Sequence, residues 1–294
     1  MFEGFDRRRI AIGDAELNLV TGGKGPPLLL LHGFPQTLAI WHRVAPALAR
    51  RFSLVIPDLP GYGASRGPAP DPGNVNYSKR HTAETMVRLM SALGHEKFLL
   101  AGHDRGGRVG YRLALDHPER VIAFAPLDIV PTLFAWEGMD WKRALNEYHW
   151  LFLAQPAPLA EHMIGKDPDF YINHLLSRWA GKRDALAPEA VDEYLRAFRQ
   201  PSVISATCAD YRAGASLDAE HDKADRDAGK RICCPVMVIW GRGYLAKKSS
   251  SPLAAWKLWA EEASETVLEC GHFVAEEEPE ACAEALLRFF DGRA

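Results

Sequence analysis

The sequence predicts an α/β fold: a mostly parallel central sheet with helices on both faces and an inserted helical lid. Three observations predict it. Short apolar runs alternate with helical stretches as far as about residue 130, the alternation lapses until about residue 226, and one strand-to-helix junction reads Gly102-x-Asp104-x-Gly106. The expected core is therefore discontinuous, 1–130 and 226–294, with the lid at 131–225.

The elements follow in order. Pro27–Leu31 is an apolar run ending in His32-Gly33, and Phe52–Pro57 is another ending at Asp58. A loop rich in Gly and Pro runs from Pro60 to about Asn76. A helix is expected from about Lys79 to Leu93, because Met86, Leu89, Met90 and Leu93 recur at helical spacing. Phe98–Ala101 is a short strand, followed by the Asp104 turn and a helix through about His117. Val121–Leu127 is a further strand ending at Asp128. From Pro131 to Asp225 the chain is rich in aromatic and charged residues with few strand signals, so it reads as helical. Strand signals resume at Pro235–Trp240 and Thr266–Leu268, and Glu277–Phe290 reads as a closing helix.

Composition bounds the rest. The 294 residues suit one large α/β domain with an inserted subdomain, and 47% hydrophobic with 25% charged residues is ordinary for a globular chain. A net charge of −3, without blocks of like charge, points away from nucleic acid and from anionic membranes. The longest apolar run is far too short to span a bilayer, and no apolar segment follows the charged N-terminus, so neither a membrane anchor nor a signal peptide is read. The five cysteines (208, 233, 234, 270 and 282) contain no C-x-x-C pair and read as reduced, mostly buried thiols of a cytoplasmic protein. Cys270 lies two residues before His272, but a buried structural thiol is the commoner case than a nucleophile.

The Gly-x-Asp-x-Gly turn between strand and helix is the layout of a nucleophile elbow, with glycines permitting a sharp turn that pushes the central side chain above the sheet. An aspartate there needs no base to become nucleophilic. It can displace a leaving group from saturated carbon, giving an ester whose acyl carbon belongs to the enzyme. A serine at the same place attacks an acyl carbon of the substrate instead. Partner residues are expected later in the chain. Asp128 follows the next strand and His272 lies in a turn after the last one; no acid occurs in Trp240–Tyr244, the commoner position, which raises Asp128. The competing readings are a helix N-cap for Asp128 and a surface histidine for His272. The backbone N–H groups of Phe34 and Arg105 are placed to form an oxyanion hole. Asp58-x-x-Gly61-Tyr62-Gly63-x-Ser65 reads as a structural loop.

These residues resemble the α/β-hydrolase superfamily and, within it, the fluoroacetate (haloacetate) dehalogenases. The resemblance rests on His32-Gly33-Phe34-Pro35-Gln36, Gly102–Arg108, Leu127-Asp128-Ile129, Tyr148-His149-Trp150, Asp210–Gly214 and Gly271-His272-Phe273. It implies Asp104 as nucleophile, Asp128 as the acid that orients the base and His272 as the base. It implies that Arg105 and Arg108 hold a substrate carboxylate and that His149, Trp150 and Tyr211 bind the departing halide. Guanidinium groups suit carboxylates, and a small hydrated anion needs aimed donors once dehydrated. The bland alternatives are surface salt bridges for the arginines and lid packing for the aromatics. Val130–Trp136 and the Trp240–Ser250 loop, with Arg242, Tyr244, Lys247 and Lys248, depart from the family pattern. A small haloacid is the expected substrate, with no metal or organic cofactor, and the resemblance implies a homodimer. The rivals are an epoxide hydrolase with the same Asp–His–Asp set and a non-catalytic binding protein of this fold. Haloalkane dehalogenases commonly carry Trp where this chain has Arg105, which favours an acidic substrate.

Overall fold

The computed structural model describes residues 1–245 and 252–293. An eight-stranded sheet forms its centre. The strands are β1 (Asp6–Ile12), β2 (Ala15–Gly22), β3 (Pro27–Leu31), β4 (Ser53–Pro57), β5 (Phe98–His103), β6 (Val121–Leu127), β7 (Val236–Gly241) and β8 (Ala263–Leu268). They lie in the order β1-β2-β4-β3-β5-β6-β7-β8. The β1–β2 and β2–β4 pairs are antiparallel, and all later pairs are parallel. The core helices are α1 (Ala45–Leu48), α2 (Lys79–Ala92) and α3 (Asp104–Asp116). Between β6 and β7 lie α4 (Thr132–Glu137), α5 (Trp141–Asn146), α6 (Tyr148–Leu153), α7 (Leu159–Ile164), α8 (Pro168–Trp179), α9 (Pro188–Phe198), α10 (Pro201–Gly214) and α11 (Leu217–Asp227), with no named strand. The chain closes with α12 (Pro252–Lys257), α13 (Val274–Glu277) and α14 (Pro279–Phe290).

Alternation along the central strands explains the two-faced core. Leu28 and Leu30 of β3 join one apolar cluster with Leu54, Leu99, Leu127, Ile239 and, from α14, Leu286 and Phe290. Leu29 and Leu31 face the other way, against Leu100, Val109 and Met86. A strand buried on both faces reads as a continuous apolar run rather than an alternating one, which is why these strands were visible in the sequence.

Two elements differ from expectation. The β1–β2 hairpin has no apolar run at its outer strand, because Asp6–Arg9 lies exposed at the sheet edge. The expected closing helix from Glu277 is two helices. Pro279 disfavours helical backbone at the residue before it, and Glu278 sits at φ −135°, ψ 60°. This break bears on the site.

Parallel register aligns the strand ends. Leu31 pairs with Gly102, His103 with Leu127, Leu127 with Ile239 and Gly241 with Leu268. The residues just beyond β3, β5, β6, β7 and β8 therefore gather along one edge, the usual place for ligands in such sheets.

Candidate active site

The elbow stands at the end of β5. Asp104 itself has φ +43°, in the left-handed region, whereas neither Gly102 nor Gly106 has positive φ. The glycines serve close approach: a Cβ on Gly106 would lie 2.3 Å from the His32 carbonyl oxygen, and one on Gly102 would lie 2.6 Å from the Gly106 carbonyl oxygen. The expectation that glycine freedom makes the turn is thus corrected. Tight packing of α3 against β3 and β5 holds Asp104 in a strained backbone state.

Asp104 is almost fully buried and opens α3. Its Oδ2 accepts the Phe34 N–H at 3.0 Å, so the amide expected in an oxyanion hole already addresses the Asp104 carboxyl. Burial pushes this carboxyl upward, but His272, Arg105, Arg108 and His103 outweigh it and hold the group well below the usual carboxylate range. The N-terminus of α3 favours the same anionic form.

Asp128 follows β6 with φ +53°. Its Oδ2 lies 2.6 Å from His272 Nδ1, and its Oδ1 accepts the Gly241 N–H at 2.9 Å. The residue at the N-cap position of α4 is Pro131, so Asp128 is no helix cap, and His272 is buried rather than a surface histidine. With Nδ1–H donating to Asp128, the imidazole lone pair sits on Nε2. His103 Nε2 donates to the His272 carbonyl at 2.8 Å, and the two rings are 4.5 Å apart. Burial, then His272, pushes His103 down to about 4, so it is neutral near pH 7.

A cavity of about 30 Å³ is lined by Asp104, Arg108, Asp128, His149, Trp150 and His272 from the expected set. Trp179, Tyr244, Arg143 and Glu147 also line it, and none of these four was singled out for the site from sequence. Their signal was absent because they come from α5, α6, α8 and the loop after β7, which meet only in space. Tyr244 was noted as part of an unusual loop; its ring lies 4.4 Å from that of His272. Lys247 and Lys248 of that loop lie outside the described residues. Arg143 pairs with Glu147 at 2.8 Å.

Arg105 and Tyr211 are not among the residues lining the cavity. The Arg105 guanidinium lies 4.2 Å from the Tyr211 ring centre, and the Arg108 guanidinium 4.5 Å from that of Trp150. Both arginines are buried, not surface groups. Arg105 gives Nε and Nη2 to the side chain and backbone oxygens of Asp210, and Asp210 also binds Lys79. Arg108 gives Nη1 to Val130 O and Thr132 Oγ1. Arg105 Nη1 and Arg108 Nε are buried without a hydrogen-bond partner among the described residues. A buried unpaired donor costs about 1–3 kcal/mol, and more when charged, so each such group favours a ligand acceptor. The buried Trp179 Nε1 also lacks a partner among the described residues. His149 packs 4.5 Å from Trp179 and 5.9 Å from Tyr211.

Cys270 plays no nucleophile's part in this arrangement: burial raises its thiol far above the ordinary range. All five cysteines are free; Cys208, Cys270 and Cys282 are buried, whereas Cys233 is exposed. Asp58 holds the Leu38 and Ala64 amides and the Asn18 side chain, a loop-shaping role. A larger groove of about 690 Å³ between residues 61–70 and α9–α10 contains none of the expected site residues. No helix among the described residues is long and apolar enough to cross a membrane.

The family model of the alpha/beta hydrolase fold matches residues 26–279. A fluoroacetate dehalogenase from Burkholderia sp is 44% identical over 98% of this chain and 95% of its own. A soluble epoxide hydrolase from Corynebacterium sp. (strain C12) is 32% identical over 95% of each chain. A solved structure from Nostoc sp PCC 7120, a candidate alpha/beta hydrolase, superposes with a TM-score of 0.97 at 47% identity, covering 99% of this chain and 100% of its own. With its sheet order, its elbow and these matches along nearly the whole chain, the protein is a hydrolytic enzyme of the alpha/beta hydrolase family.

Proposed function

We propose that the protein hydrolyses the carbon–halogen bond of small 2-haloacids, fluoroacetate or chloroacetate, to the 2-hydroxyacid and halide. The observation that carries this reading is that Arg108, whose buried Nε has no hydrogen-bond partner among the described residues, lines one cavity with Asp104, Asp128 and His272. Arg108 provides a place for a substrate carboxylate and offsets its repulsion by Asp104, while Arg105, outside the cavity lining, adds its charge from behind. The similarity to the Burkholderia fluoroacetate dehalogenase supports the same substrate class.

In this mechanism an Asp104 carboxylate oxygen attacks C2 from the side opposite the halogen. The carbon–halogen electron pair leaves with the halide, which His149, Trp150 and Tyr211 receive through their N–H and O–H groups. His272, oriented by Asp128, takes a proton from water, and the hydroxide adds to Asp104 Cγ. The tetrahedral oxyanion is held by the Phe34 N–H and that of Arg105. Collapse expels the 2-hydroxyacid oxygen, which takes the proton back from His272; Asp104 is left protonated and releases that proton to solvent, which regenerates the carboxylate. Helices α4–α11 act as the lid, and their aromatic side chains replace water around the halide. The small cavity favours the smallest acids.

The test is ion-selective detection of fluoride and chloride from a short panel of haloacids, with Asp104→Ala as control. A single turnover in heavy-oxygen water should label Asp104; label appearing only in product defeats the ester route. Epoxide opening is the second reading, supported by the Corynebacterium relative, with Tyr211 as proton donor. Diol formation from epoxides without halide release from haloacids would favour it. Binding of haloacids without any turnover would favour the non-catalytic reading, against which the His272–Asp128 pair argues. A cytoplasmic homodimer completes the proposal. Exposed Trp141, Leu145, Leu159, Met163 and Phe170 on α5, α7 and α8 support self-association, and sedimentation of the purified protein tests it.

A further inference from the structure

Glu277 ends the short helix α13, five residues after the proposed base. The helix is interrupted at Glu278, before Pro279, and the Glu277 side chain turns back toward the His272 loop. It is buried, with 5% of its surface exposed. One oxygen, Oε2, accepts three backbone N–H groups, those of Gly271, Gly181 and Lys182, each at 2.8 Å. The other, Oε1, accepts the Phe273 N–H at 3.0 Å. Among the described residues no Lys, Arg or His forms an ion pair with it, so four amides alone compensate the buried acid.

Those amides belong to two distant segments. Gly271 and Phe273 flank His272, whereas Gly181 and Lys182 follow α8 in the helical insertion. The segments touch so closely that no side chain fits between them. A Cβ on Gly271 would lie 2.1 Å from Gly181 N, and one on Gly181 would lie 2.6 Å from Gly271 N. Both glycines are needed for the approach itself, since neither has positive φ. The His272 N–H donates to the Trp179 carbonyl at 3.0 Å, adding a third bond across the same seam to those from Gly181 and Lys182.

We propose that Glu277 is a positioning residue for His272: its carboxylate fastens the loop carrying the base to the Trp179–Lys182 segment of the insertion, so that the imidazole and one cavity wall form a single rigid unit. The bond to Asp128 sets the ring's tautomer and rotation, and the Glu277 clamp sets where the ring's backbone sits. A base displaced by a fraction of an ångström meets its water at the wrong angle, whereas the preceding displacement of halide by Asp104 does not use the base. Loss of the clamp therefore slows ester hydrolysis and leaves the first step intact. Glutamine at 277 keeps only one acceptor oxygen, so whichever way its amide turns an N–H₂ group faces at least one of the four amide donors and the clamp is weakened with almost no change of shape.

The proposal rests on the dehalogenase reading for its kinetic arm only. Rapid mixing with chloroacetate should give, for Glu277→Gln, a halide burst of one per site at the wild-type rate, followed by ester hydrolysis slowed about 100-fold. Amide hydrogen exchange without substrate should accelerate together at Gly181, Lys182, Gly271 and Phe273. Gly181→Ala, which forces the same seam apart from the insertion side, should reproduce both effects and decides the matter if Glu277→Gln does not fold. Equal slowing of both steps, unchanged ester hydrolysis, or faster exchange at 271–273 with 181–182 still protected overturns the proposal. Absence of halide from the wild-type protein defeats the dehalogenase reading instead, and the exchange measurement alone then decides the role of Glu277.

Discussion

The charge on Asp104 survives burial because His272, two guanidiniums and His103 outweigh the desolvation. The two arginines do different work in that balance. Arg105 is built into a buried network with Asp210 and, through it, Lys79, whereas Arg108 donates to backbone and hydroxyl oxygens and stacks on Trp150. Arg105→Met should therefore cost about 3–5 kcal/mol of stability by stripping Asp210 of a buried partner. Arg108→Met should cost much less while still raising the KM for haloacids; urea unfolding and initial rates together check the contrast. Glu276 makes a second residue-scale prediction. Burial raises its carboxyl from 4.5 to about 8, and it meets Gln36 and Tyr194 inside the protein. A folded acid that keeps its proton longer than the unfolded one contributes fully below about pH 4.5 and loses that contribution as pH climbs through about 8. Wild-type stability should fall between pH 5 and 9 relative to Glu276→Gln, by on the order of a few kcal/mol. Parallel pH profiles for the two proteins would refute it.

Among the elements, the elbow and the end of β6 both hold an aspartate at positive φ. Asparagine tolerates that backbone region, so Asp128→Asn should fold normally and can still accept the Gly241 N–H. It should orient the imidazole wrongly, slowing ester hydrolysis by about 10²–10⁴-fold with the halide burst retained; trapping of the Asp104 ester by mass spectrometry checks this. Gly106→Ala, by contrast, places a Cβ 2.3 Å from the His32 carbonyl and should destabilise the fold by about 1–3 kcal/mol or more, read as a lowered urea midpoint. The same elements show what sequence could convey. Pro27–Leu31 and Val121–Leu127 were legible to the residue, because strands buried on both faces must be apolar throughout. The Asp6–Ile12 strand was not, because an edge strand facing water has no such demand.

At the level of the whole molecule, buried ionic bridges fasten the insertion to the core. Arg112 of α3 binds Asp222 of α11 at 2.7 Å, and Asp222 also accepts the Tyr111 hydroxyl and the Leu133 amide. Asp210 of α10 does the same for Arg105 and Lys79. The cavity is small because the insertion is held down on the strand ends. Turnover should therefore fall steeply from chloroacetate to 2-chlorobutanoate, and a panel rising one carbon at a time measures it. The sequence by itself determined the strand–helix alternation and the lapse of strand signals between β6 and β7, and put Asp104, Asp128 and His272 forward as candidates, since local pattern and chain order carry that information. It left Trp179, Tyr244, Arg143, Glu147 and Glu277 unread. Only the tertiary structure decided that Arg105 is largely committed to Asp210, that strain falls on Asp104 rather than on its glycines, and that four amides from two segments converge on Glu277. The physical reason is the same in each case: these contacts join residues tens to hundreds of positions apart, and nothing in the local pattern of one partner specifies the other.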